Sequence, residues 1–108
     1  MIYGKEISFN KMNIHEFKTT LEESTHPPGL SKPLDALWIE ANGDWDKAHR
    51  IVQILDDQAA EWVHAYLHRK EGDLSNASYW YHRANRVMPD MDMDEEWDTI
   101  AAALLSRI

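Results

Sequence analysis

Residues 62–89 read WVHAYLHRKEGDLSNASYWYHRANRVMP, and this stretch decides the fold. Trp62, Val63, Tyr66 and Leu67 recur at the spacing of one helix face, which predicts a helix over about residues 59–70. Glu71-Gly72-Asp73 then breaks it. The glycine suits a left-handed C-terminal position, and the aspartate suits an N-cap. Ala77, Tyr81 and Ala84 fall in register on a second helix over about residues 75–86, which Pro89 stops. The stretch therefore reads as a helical hairpin.

The hairpin has a copy upstream. Placing Gly43-Asp44 over Gly72-Asp73 matches the chain to itself at an offset of 29, which is 72 minus 43. Ala36 then falls on Ala65, Trp45 on Leu74, Ala48 on Ala77, Val52 on Tyr81 and Leu55 on Ala84. The alanines have a packing reason. Small residues let two helix axes approach to the roughly 8–10 Å of a close pair, and larger ones push them apart.

The second unit, Trp62 through Pro89, resembles a tetratricopeptide repeat. Ala65 matches the small residue of the family's first helix, Gly72-Asp73 its turn, and Ala77, Tyr81, Ala84 and Pro89 its Ala, aromatic, Ala and Pro positions. The first unit departs further. Val52 replaces the aromatic, Leu55 replaces the second alanine, and the closing proline is missing. The offset of 29 also falls short of the family's usual ~34 residues, so the link between units must be tight. The stretch is similar, too, to a group of small bacterial proteins, a resemblance that supports the fold and implies no activity.

The tetratricopeptide resemblance implies that the first helices line a concave face that takes extended peptides or protein tails. Trp38, Trp62, Tyr66 and Arg69 would form a recognition strip there, of residue types enriched at interface hot spots; the alternative is that Trp62 and Tyr66 pack against the added N- or C-terminal helix, with the final helix filling the groove. A protein or peptide segment, or a second copy of the chain, is the partner so implied.

Outside the two units, residues 1–12 read as an arm or disordered tail. Asn13 and Glu16 form a capping box for a helix over about residues 14–23, followed by a proline-rich loop over residues 24–33. Ser31 is the expected cap of the helix carrying Leu34, Leu37, Trp38 and Ala41. Asp92 and Glu95 make a second box, opening a last helix with Met93, Trp97, Ile100, Ala101, Leu104 and Ile108 on its buried face. A repeat stack leaves an apolar face at its end, and this helix is the expected cap. The prediction is a single all-α domain of five to six helices, with two antiparallel hairpins and a capping C-terminal helix.

Composition narrows the function. The chain has 108 residues, 44% of them apolar, with five tryptophans and four tyrosines, enough for one core. No cysteine is present, which removes disulfides, thiolate metal sites and a thiol nucleophile. A net charge of -8 disfavours nucleic-acid backbones and anionic membrane surfaces. No apolar run has the length of a membrane span or a signal peptide, so the sequence predicts a soluble cytoplasmic protein. No phosphate loop or nucleophile motif is present, and neither an enzyme activity nor a cofactor is implied.

One constellation carries chemistry. His64 and His68 stand four apart on one helix face, the spacing of a two-imidazole chelate. They occupy positions where the repeat family holds packing residues. The alternatives are a small-molecule or metal site, or a buried polar cluster of His64, His68, Tyr81 and His82. A buried histidine needs partners for its ring nitrogens. Tyr79, Tyr81, Asp35 and Glu61 are the candidates by sequence, with His49 and His82 on the second helices of the two units.

Overall fold

The structure is a computed structural model and describes residues 12–107. The expected arm, apart from Met12, lies outside the described residues, as does Ile108. The described residues are all-α, with six helices among them: α1 (Ile14–Glu22), α2 (Lys32–Ala41), α3 (Trp45–Val52), α4 (Gln58–Glu71), α5 (Leu74–Arg83) and α6 (Met93–Leu105). No strand occurs among the described residues.

Local chemistry sets the helix ends. Both capping boxes form, Asn13 with Glu16 and Asp92 with Glu95. Asp44, Asp57 and Asp73 cap α3, α4 and α5 by accepting from the backbone N–H of Lys47, Ala60 and Asn76. Each such cap stabilises its helix by about 1 kcal/mol. Ser31 departs from expectation. It holds the N-cap position of α2, but its hydroxyl makes no capping bond, and Pro33 in the first turn removes one of the N–H groups it would serve.

The two glycine corners are closed by the same pair of hydrogen bonds, displaced by 29 residues. Asp44 N–H reaches Ile39 C=O at 3.1 Å and Gly43 N–H reaches Glu40 C=O at 2.9 Å. Asp73 N–H reaches His68 C=O at 3.0 Å and Gly72 N–H reaches Arg69 C=O at 3.1 Å. Gly43 and Gly72 have φ of 101° and 88°, a backbone that glycine adopts without a Cβ penalty. Beyond the corners, α3 folds back on α2 and α5 on α4. Ala36, Ala48, Ala65 and Ala77 are all fully buried, consistent with close helix approach.

The two hairpins meet through α3 and α4, so α4 lies at the centre. All nine residues from Ala60 to His68 are buried. A helix enclosed on every side loses its polar face, and the polar residues on α4 are therefore forced into contact with neighbours. The last helix, α6, packs on α1, α2 and α4. Trp97 anchors it, stacking on Phe17 at 5.7 Å between ring centroids and donating its indole N–H to Leu37 C=O at 3.2 Å. An aromatic pair of this kind adds about 0.5–1.5 kcal/mol beyond its buried area. No helix of the described residues is long and apolar enough to cross a membrane.

Candidate metal centre

The histidines of α4 meet a third from the other hairpin. His49 stands on α3, one turn after Trp45, whose indole N–H donates to Leu67 C=O at 2.8 Å and so fixes α3 against α4. His49 stacks on that indole at 5.0 Å and 7° between planes. This places its Nε2 3.0 Å from Nε2 of His64. The three imidazoles form a compact triangle, with ring centroids 4.7 Å apart for His49–His64, 5.1 Å for His49–His68 and 4.9 Å for His64–His68. One nitrogen from each lies within 4.8 Å of the others.

The surroundings hold the rings in place. His64 stacks on Trp80 of α5 at 4.0 Å and 17°. His68 meets Trp45 edge-on at 5.9 Å. Glu71, one turn beyond His68, accepts from its Nδ1–H at 2.7 Å through Oε2. That bond selects the tautomer in which Nε2 of His68 carries the lone pair, the usual arrangement behind a metal-bound imidazole. His68, Glu71 and Asp73 make a second group of converging ligand atoms, but both carboxylates are exposed.

Protonation favours lone pairs over charge. Burial, then the neighbouring His49 and His68, depress the pKa of His64 to about 3. Burial, then His68, also lowers that of His49. Both rings are thus neutral near pH 7. The contact between His49 and His64 shares a single proton, and Nδ1 of His64 is buried without any hydrogen-bond partner. An unpaired polar atom of this kind costs about 1–3 kcal/mol. The cluster is therefore under-satisfied as it stands.

The residues expected by sequence are distributed differently. His64 and His68 are buried together, but neither Tyr81 nor His82 joins them. Tyr81 points the other way and donates to Glu96 Oε2 at 2.5 Å, while His82 is exposed on α5. The other proposed partners are also engaged elsewhere: Asp35 with His26, and Glu61 and Tyr79 with Arg83. The actual partners are His49 and Glu71. Glu71 was legible in principle, since it falls three residues after His68 on the same face.

The recognition strip needs the larger correction. Trp38, Trp62 and Tyr66 are buried, so they do not form an exposed strip. Trp38 donates to Thr20 Oγ1 at 3.0 Å and stacks on His26. Trp62 is covered by the Arg86 guanidinium, 3.3 Å from its ring centroid. Arg69 is held by Glu96 Oε1 at 2.7 Å and Met91 C=O at 2.5 Å. The last helix adds to this cover: α6 packs on α2 and α4, and its Glu96 holds Arg69. The chain matches no family model, no curated protein and no solved structure.

Proposed function

We propose that the chain is a metal-binding protein that holds a divalent transition ion, zinc being the best fit, on His49, His64 and His68. The observation that carries this is the convergence of three imidazole nitrogens, from two separate hairpins, within 4.8 Å. Tetrahedral coordination at Zn–N distances of about 2.0–2.1 Å sets ligand nitrogens about 3.3 Å apart. The 3.0 Å between His49 and His64 is already near that value, so small ring movements complete the triangle. Moving both rings to the Nδ1–H tautomer frees both Nε2 lone pairs with no net loss of protons. An all-nitrogen set of this kind favours zinc, copper or nickel over magnesium or calcium.

Three protein ligands leave a fourth position for water or a bound group. Because His49 belongs to one hairpin and His64 and His68 to the other, the ion also ties the hairpins together. The reading includes hairpins of the tetratricopeptide type, supported by the matching corners and alanines. It includes a cytoplasmic location, in keeping with a chain that has no cysteine.

Titration of chelator-treated protein with zinc by calorimetry tests the site. One equivalent should bind with a Kd below about 1 μM. His49→Ala, at a half-buried position, should weaken binding by about 100-fold or more. Absence of a stoichiometric event, or a His49→Ala titration that overlays the parent, would overturn the proposal. Cobalt as a second probe should give the visible absorption of a four-coordinate ion.

A further inference from the structure

A second site lies at the far end of α4, away from the histidines. Gln58, Ala59 and Trp62 of α4, Asn85 and Arg86 after α5, and Arg107 after α6 surround a cavity of about 300 Å³. Two guanidinium groups therefore line one small space. Arg69 and Arg83 are each held by a carboxylate at close range. Among the described residues, no carboxylate comes within 4.0 Å of Arg86 or Arg107.

Arg86 is also held in place. Its guanidinium carbon sits over the Trp62 ring, 3.3 Å from the ring centroid. Its backbone is set as well: Arg86 N–H donates to Tyr81 C=O at 2.9 Å, across Asn85 in the left-handed region at φ 62°. Burial, then the charge of Arg107, hold Arg86 below the usual guanidinium pKa, against an opposing pull from Glu96. Two cations that line one cavity, with no carboxylate of the described residues within 4.0 Å of either, mark a place where an anion is favoured.

We propose that Arg86 and Arg107 form a binding site for the phosphate group of a small phosphomonoester or of free phosphate. A dianion neutralises both cations at once, and a planar guanidinium donates two parallel N–H bonds to phosphate oxygens. The side-chain amides of Gln58 and Asn85 supply neutral donors on the same wall. First-turn N–H groups of α4 lack intrahelical acceptors, and Gln58 and Ala59 belong to that turn. The cavity exceeds a bare phosphate, which leaves room for a compact organic group. A polyanion such as a nucleic acid is disfavoured by the acidic remainder of the surface.

Calorimetric titration of chelator-treated protein tests this, because without metal the histidines offer phosphate no competing site. The probes are inorganic phosphate and glycerol 3-phosphate, with sodium chloride at matched ionic strength as the control. One saturable event with a Kd at or below about 1 mM is expected for a phosphate probe, and none for chloride. Arg107→Gln, at an exposed position, should weaken it by about tenfold or more, the loss of one charge-assisted contact. Arg86→Gln should do the same, and Arg107→Gln keeps the test valid if Arg86→Gln loosens the fold over Trp62. Tighter binding of the ester identifies a phosphorylated metabolite as the ligand; equal or tighter binding of phosphate identifies the free anion. No saturable event up to about 10 mM, or equal binding by both variants and parent, overturns the proposal. Zinc affinity should be unchanged in Arg107→Gln, so the two sites succeed or fail separately.

Discussion

Two buried polar clusters flank α4, and they differ in how completely they are satisfied. On one side Glu96 of α6 is 2% exposed, yet each carboxylate oxygen has a donor: Arg69 Nη1 at 2.7 Å and Tyr81 Oη at 2.5 Å. Burial, then Glu96, push the Tyr81 phenol up, so it stays a donor. On the other side His64 is 4% exposed, with one nitrogen facing another imidazole and the second facing nothing that can bond to it. A saturated network specifies packing, since every member loses by moving. An unsaturated cluster of lone pairs retains capacity for a ligand. The contrast assigns α6 docking to the first cluster and supports the proposed metal binding at the second.

The comparison can be broken most sharply at Glu96. Glu96→Ala strands Arg69 and Tyr81 and should cost about 3–5 kcal/mol in urea denaturation. A loss below about 1 kcal/mol would mean that the saturated network is not structural. Glu71→Gln acts on the other cluster. It should leave stability nearly unchanged but weaken zinc binding by about 10–100-fold, because His68 loses the carboxylate that orients it. Unchanged affinity would remove Glu71 from the site.

Acid provides a third comparison. Burial holds the pKa of His64 in the folded chain down to about 3, from the ordinary histidine value of 6.5. Between these values the unfolded chain binds a proton that the folded chain excludes. Metal-free stability should therefore fall on acidification across that window, by up to about 1.4 kcal/mol per pH unit from His64 alone. His49, lowered in the same sense, adds to the slope. The smallest effect is expected from His64→Leu in metal-free protein. Removing an under-satisfied polar group should shift stability by less than about 1 kcal/mol, in either direction, and flatten the pH slope. A large loss would show that the imidazole is structural after all, like Glu96.

The helix pattern was legible because its signals are local. Asp44, Asp57, Asp73 and Asp92 cap within three residues of themselves, and glycine corners need only their own backbone. The pair His64 and His68 was legible for the same reason, through helical spacing. Its third member was not: the sequence pattern pointed to His82 in place of His49, because the two stand on equivalent helices and local spacing cannot tell them apart. Trp62 and Tyr66 were misplaced because an exposed aromatic and a buried one read alike.

The sequence by itself determined the helices of the described residues, their corners and the 29-residue offset between them, all products of hydrogen bonds and side-chain sizes within a few residues. Tertiary structure alone decided that α6 packs across α1, α2 and α4, that His49 and not His82 completes the imidazole triangle, and that Arg86 and Arg107 line one cavity. These contacts join residues 15 or more positions apart in the chain, and only the packing of whole helices against one another brings them together.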